Sequence, residues 1–326
     1  MSDNRQARVN RLAQQWNEED IPPASIDHWL AQFDREEQSI AMRLLECMEM
    51  HSWARLQREC RVLHQRLCRD LQDEGFDTND WHDIDITRSF TCKSGDLIAY
   101  AYRKANCLPV TGFSSIEQLR ATPPKQGERR ALVVLDDYIG TGSQFLFHFL
   151  ARQPAHLELL QRYARVRLAA VVVHDDARHK WRLLQQRCIR DVMAIEERQL
   201  ACIDFSGERT QLIDALGQLD WTSCGLMAAE RDFPITAHSS LTVHERHQLQ
   251  EFLLRQHQKE GSGTTEFLLG HHTFFYGAPN ALARVLLPLF KRVEDFTAYD
   301  PDTWIGLPAR IINYNIENPD PITYLD

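Results

Sequence analysis

The feature that most constrains this chain is residues 131–145, ALVVLDDYIGTGSQF. A run of apolar β-formers ends in two acids, Asp136 and Asp137, followed by Tyr138, Ile139, Gly140, Thr141, Gly142, Ser143, Gln144 and then a helical pattern. Each part suits the holding of a sugar phosphate. A buried strand delivers the loop to the carboxyl edge of a parallel sheet, where such ligands bind. Gly140 and Gly142 let the backbone turn and bring N–H groups close to an anion, and the following helix points its positive end at the same place. Thr141 and Ser143 bring hydroxyls, while Asp136 and Asp137 can accept from ribose hydroxyls and offset positive charge at an anomeric carbon. The loop is neither a Walker loop, lacking Gly-Lys-Ser/Thr, nor a dinucleotide G-x-G-x-x-G, whose glycines precede any acid. A catalytic serine elbow, Gly-x-Ser-x-Gly, is also missing here.

The grammar around this segment predicts an α/β fold: a parallel sheet flanked by helices, with a helical N-terminal region. Residues 1–80 read as helices, with Ile26, Trp29, Leu30 and Phe33 on one face and Ser25 as a cap for a helix from Ile26. Leu56, Cys60, Leu63, Leu67 and Leu71 repeat at steps of three and four. From residue 81 to 326, apolar β-rich runs alternate with helical ones, which predicts one α/β domain. Strands are expected in WHDIDITRSF, ALVVLDD, VRLAAVVVH, ACIDF and EFLLGHHTFFYG. Helices are expected in LIAYAYRKAN, QFLFHFLARQ, ARHKWRLLQQR and LTVHERHQLQEFLLRQHQK.

Charge and cysteine usage exclude several classes. The formal charge is −9 with no long basic run, which disfavours direct nucleic-acid binding. Eight cysteines include no CxxC pair, so buried free thiols are expected rather than a zinc ribbon or a redox pair. His244 and His247 lack a third ligand at metal spacing. Neither a leader's apolar core nor a stretch of membrane-spanning length is found, and a cytoplasmic protein is expected. After VRLAAVVV comes His174-Asp175-Asp176, where Asp175 or Asp176 is expected to cap a helix. Of His271 and His272, in an apolar strand, one is expected to be buried.

LVVLDDYIGTGSQ resembles the motif that binds phosphoribosyl diphosphate (PRPP) in type I phosphoribosyltransferases: apolar residues, paired acids, two apolar residues, then a Thr- and Gly-rich phosphate loop. That resemblance implies that Asp136 and Asp137 bind the ribose hydroxyls and that residues 140–144 wrap the 5-phosphate. Gly140 and Gln144 stand where threonine is common. FTCKSGDLIAYAYRKAN is similar to the strand, pyrophosphate loop and helix that precede this motif, which makes Lys93, Ser94, Gly95 and Asp96 the pyrophosphate loop ahead of a helix from about Leu97. The long polar stretch LPVTGFSSIEQLRATPPKQGERR suits the family's closing loop, with Lys125, Arg129 and Arg130 as candidate phosphate contacts. More narrowly, the Leu30–Phe33 helix, KSGD, DDYIGTGSQ and FLLGHHTFFYGAPN, ending in Gly277, Ala278, Pro279 and Asn280, resemble phosphoribosyltransferase-like proteins of bacterial anti-phage loci, including retron-associated ones. The resemblance implies action at the anomeric carbon of PRPP or a related ribose phosphate. It also implies Mg²⁺ carried with the diphosphate rather than held in a protein cage, and proteins of a defence locus as partners. The alternative is a non-catalytic module that senses PRPP or a nucleotide and regulates a partner protein.

Overall fold

The computed structural model describes residues 2–16, 23–79, 81–89, 94–125, 127–199, 206–259 and 271–274. The chain opens with helices α1 (Ser2–Gln15), α2 (Pro23–Ala31) and α3 (Glu37–Glu46), then a short strand β1 (Glu49–His51) and the long helix α4 (Trp53–Asp73). Helix α2 starts at Pro23 rather than Ile26, because proline's fixed φ suits a first helical turn that needs no N–H. Strand β2 (Ile84–Arg88) and helices α5 (Ser94–Ala105) and α6 (Ile116–Ala121) lead to β3 (Ala131–Ile139). Next come a π-helix (Phe145–Ala151), α7 (Pro154–Leu160), β4 (Arg165–His174), α8 (Asp175–Gln185), α9 (Ile189–Gln199), α10 (Ser206–Gln218) and β5 (Cys224–Asp232). Helix α11 (Val243–Lys259) and strand β6 (His272–Phe274) complete the described elements. Two compact units result, Met1–Ala54 with Phe233–Asp326, and Arg55–Asp232.

The unit Arg55–Asp232 holds a four-stranded, wholly parallel sheet in the order β2-β3-β4-β5. Residues Val166 to His174 of β4 are all buried, because helices cover both faces and leave no polar side for alternation. One face carries a core that includes Leu132 and Val134 of β3, Phe145 and Phe149 of the π-helix, and Trp181, Val192 and Leu216 of the later helices. Helices α4 and α5 take the other: α5 packs on β2 and β3, and Arg167 of β4 is paired with Asp70 of α4 and with Glu74 just after it. His64 of α4 meets the fully buried Tyr102 of α5 at 2.8 Å.

The order of the sheet also fixes where a ligand can sit. Beyond β2, Phe113 forms a parallel bridge to Ile86, and the Ser114 amide donates to the Ile86 carbonyl at 3.0 Å. The chain therefore leaves β2 outward through α5, returns inward to β3, and then runs on to β4 and β5. The direction of winding reverses between β2 and β3. At such a switch point the carboxyl ends of two neighbouring strands part, and the crevice between them is the usual ligand site of an open α/β sheet.

The other unit is helical around a core that includes Trp29, Leu30, Phe33, Leu45 and Phe252. Phe33 stands edge-on to both Trp29 and Phe252, with centroids 4.8 and 5.3 Å away. β1 and β6 form a two-stranded parallel sheet, Glu49 opposite His272. His271 and His272 are both buried, one more than expected. The expected strand in ACIDF and the turn from Gly277 to Asn280 lie outside the described residues. Among the described residues no helix is long and apolar enough to cross a membrane.

Candidate functional site

Strand β3 carries the two acids further into the sheet than its sequence suggests. The strand continues through Asp136, Asp137 and Tyr138 to Ile139, and Asp136, Tyr138 and Ile139 remain in register with β4. The acids stabilise this ending themselves: the Asp137 amide donates to Asp136 Oδ1 at 3.0 Å and the Tyr138 amide to Asp137 Oδ1 at 2.9 Å. Burial, and then the neighbouring Asp137 charge, push the Asp136 carboxyl well above the usual range, while Ser89 at the end of β2 opposes the shift. A carboxyl so perturbed at the end of a strand is a candidate functional group. Ser89 is held there by its own amide, which donates to the Leu135 carbonyl at 2.9 Å.

The expected pyrophosphate segment flanks the same crevice. Lys93 lies outside the described residues. Ser94, Gly95 and Asp96 form the first turn of α5, so the helix starts about one turn before Leu97. An acid in that turn complements the helix dipole. Asp96 pairs with Arg88, the last residue of β2, at 2.5 Å. Because Arg88 lies opposite Leu135 in the β2–β3 register, α5 and the loop after β3 leave the same edge of adjacent strands.

Residues 140–144 make a tight connection to the π-helix. Gly142 has φ +77°, a left-handed conformation that favours glycine. Thr141 Oγ1 donates to Ser143 Oγ at 2.8 Å and accepts from the Ser143 amide at 3.2 Å. Ser143 Oγ in turn donates to Glu196 Oε2 at 2.7 Å, so its proton is committed inward. Lys180 Nζ bridges the pair, 2.6 Å from Glu196 Oε1 and 3.0 Å from Ser143 Oγ. Lys180 is 2% exposed and Glu196 is fully buried. Burial lowers the Lys180 pKa and the Glu196 charge opposes that shift. The floor of the loop is thus a buried ion pair from α8 and α9, found by no motif. Gln144 is exposed and opens the π-helical turn, whose widened spacing appears as the Arg152 amide donating to the Phe147 carbonyl at 2.9 Å.

The other polar candidates fall into separate roles. His174 ends β4 fully buried, and its Nδ1 accepts from the Asp176 amide at 3.2 Å. The cap of α8 is therefore His174, with Asp175 and Asp176 in the first turn. Tyr138 donates its phenol proton to Asp232, which is also fully buried at the end of β5. Burial raises the Tyr138 pKa, and the Asp232 charge adds to it. Arg129 and Arg130 immediately precede β3 and so stand at the amino edge, about 30 Å of strand from the loop. Arg129 donates to the Gly75 carbonyl and Arg130 pairs with Asp85 at 2.6 Å, so neither reaches the crevice. No third carboxylate, histidine or thiol among the described residues joins Asp136 and Asp137 in a set compact enough to cage a metal ion.

The family model PRTase-CE matches residues 26–214, more than half of the chain, and its span includes the sheet from β2 to β4, α5 and the whole candidate loop. The chain belongs to the PRTase-CE family. It is a phosphoribosyltransferase-like protein, in agreement with the parallel sheet and its flanking helices. No curated protein matches the sequence.

Proposed function

We propose that the crevice between β2 and β3 binds PRPP or a closely related ribose phosphate and that the protein acts at its anomeric carbon. What supports this reading is that the acid pair ends β3, the first turn of α5 follows β2 and the Gly142 loop follows β3, all beyond the carboxyl ends of adjacent parallel strands. In this reading the amides of residues 140–144 hold the 5-phosphate, and those of Ser94, Gly95 and Asp96, with Lys93, hold the diphosphate. Asp136 and Asp137 accept from the ribose hydroxyls and stabilise positive charge as the diphosphate departs. The perturbed Asp136 carboxyl fits a divalent cation: two adjacent acids gain from a positive ion, yet lack enough partners to cage one alone. Mg²⁺ bound by one or two carboxylates and by substrate phosphates meets both conditions, and when bound it would neutralise the leaving group. A role in anti-phage defence, retron-associated loci included, with other proteins of the locus as partners and a cytoplasmic location, belongs to the same proposal and rests on the sequence resemblance alone.

A second reading, a sensor that binds PRPP or a nucleotide without turnover and regulates a partner protein, is favoured by two observations. The Ser143 proton goes to Glu196 rather than toward a ligand, and Gly140 and Gln144 replace the commoner threonines. Incubating the protein with PRPP and Mg²⁺ while following pyrophosphate and melting temperature separates the cases. Pyrophosphate release, with water alone or with a panel of nucleobases and amines added as acceptors, identifies the transferase or a hydrolase, and stabilisation without release under every one of these conditions identifies the sensor. A protein that shows neither at millimolar ligand refutes both.

A further inference from the structure

Away from this crevice, a cleft of about 520 Å³ runs beside the first half of β5, bounded by Leu226 and Met227 and by the Arg178, Trp181 and Arg182 face of α8. Its lining holds four arginines against three carboxylates. Two of the arginines are already taken: Arg167 by Asp70 and Glu74 at 2.5 and 2.6 Å, and Arg231 by both carboxylate oxygens of Asp175. Arg178 and Arg182, one turn apart on α8, have no hydrogen-bonded carboxylate among the described residues. Arg178 Nε is buried and makes no hydrogen bond. Burial lowers the pKa of Arg178, and Arg231 and Arg66 repel its charge, with only Asp175 opposing them. A partly buried guanidinium whose Nε makes no hydrogen bond, beside other cations, costs free energy that a bound anion would recover.

The cleft favours a compact anion over an added strand. The Cys224 carbonyl already accepts from Trp181 Nε1 and Gln185 Nε2 at 3.1 and 3.0 Å, and Arg66 Nη1 covers the Ala228 and Ala229 carbonyls at 2.6 and 2.9 Å. A pairing peptide would find those acceptors occupied. Two guanidinium groups at i and i+4 suit the several oxygens and double charge of a phosphate group. We propose that this cleft is a second anion site, which holds the phosphate group of a small molecule between Arg178 and Arg182, with Leu226 and Met227 against whatever the phosphate carries. The site is independent of the PRPP reading.

Equilibrium dialysis of the full chain against radiolabelled inorganic phosphate, together with thermal unfolding, tests the site. Arg178→Gln/Arg182→Gln should bind one phosphate fewer per chain than wild type. Without phosphate it should melt at or above the wild-type temperature, because it sheds an uncompensated, half-buried charge. Arg182→Gln alone, at an exposed position, should weaken the same site at least fivefold. Lys104→Gln/Arg162→Gln, which removes two cations outside the cleft, should change neither readout. Unchanged stoichiometry in the double variant, equal loss in the charge control, or a double variant that melts below wild type without phosphate each overturns the proposal. Displacement of the label by AMP at lower concentration than by phosphate marks a phosphate carried on a larger body, and equal displacement marks free phosphate; both support the site.

Discussion

The ion pair beneath the candidate loop gives the sharpest test of how that loop is built. Lys180→Met removes the ammonium that lies 2.6 Å from Glu196 and 3.0 Å from Ser143, and strands a carboxylate in a position with no exposed surface. Removal of one partner of a buried pair costs about 3–5 kcal/mol. For a unit of this size each kcal/mol corresponds to roughly 2–4 °C in Tm, so the single variant should melt on the order of 10 °C below wild type. The double variant Lys180→Met/Glu196→Met replaces both charges with apolar groups of similar volume and should recover most of the loss, since a buried pair often contributes little net stability beside a packed apolar alternative. Urea unfolding of the four proteins, read as a double-mutant cycle, measures this coupling. The double variant should also respond less to ligand, because Ser143 then loses both inward anchors. A single variant that costs under about 1 kcal/mol, or a double variant as unstable as the single, would refute the view that this pair supports the loop.

Asp136→Asn/Asp137→Asn should abolish stabilisation by PRPP and Mg²⁺ while leaving the unliganded Tm within a few degrees of wild type. If the acids only support the strand end, the ligand response survives, because each Asn keeps an Oδ1 acceptor for its amide, and only Asp136→Ala/Asp137→Ala loses roughly 1 kcal/mol for each side-chain-to-amide bond. Tyr138→Phe removes a phenol that donates to the fully buried Asp232, and denaturant unfolding should register a loss of about 1–3 kcal/mol. Glu59, beside Glu230, is pushed up to about 7 by burial and by that neighbour, against an ordinary value of 4.5. A carboxyl raised on folding stabilises the fold below its unfolded pKa, and that contribution is lost as pH climbs from about 4.5 through 7. Glu59→Gln should therefore flatten the pH dependence of stability and raise stability at pH 8, by at most roughly 3 kcal/mol, the free-energy equivalent of the shift.

Much of the sheet was legible because its central strands are apolar runs of β-branched residues, which helices on both faces demand. β5 was not: CGLMAAERD contains glycine and two adjacent alanines, has weak β propensity, and lies last in the sheet order, where packing against β4 decides the matter. The π-helix was equally hidden, since QFLFHFLA carries helical periodicity and the period alone does not separate five-residue from four-residue bonding. Lys180 and Glu196, by contrast, had left a trace. Lys180 falls in the stripe Ala177, Lys180, Trp181, Leu184, and Glu196 in the stripe Ile189, Val192, Met193, Glu196. A charge at a buried helical position calls for a partner, and two such helices in succession could have been read as one pair. The His174 cap had no such trace, because histidine is not among the residues that usually cap helices.

The carboxyl edge of the sheet concentrates side chains that folding alone would not choose. Asp136, Tyr138, His174 and Asp232 come from three neighbouring strand ends, and the last two are fully buried. Two of the four have titrations displaced by burial and by a neighbouring carboxylate. At the amino edge the charges are paired instead: Arg130 with Asp85, and Arg167 with Asp70 and Glu74. One end of the sheet is thus electrostatically closed, whereas the other keeps an acid whose charge is disfavoured until something positive or hydrogen-bond-donating arrives. A phosphorylated ligand alone would be repelled by such a pair of acids. The same ligand carrying a divalent cation and a ribose would satisfy them, with the amides of the Gly142 loop and of the first turn of α5 left for its phosphates. If the crevice binds a sugar phosphate as proposed, the polarity of the two edges suits one that carries a divalent cation better than a bare anion.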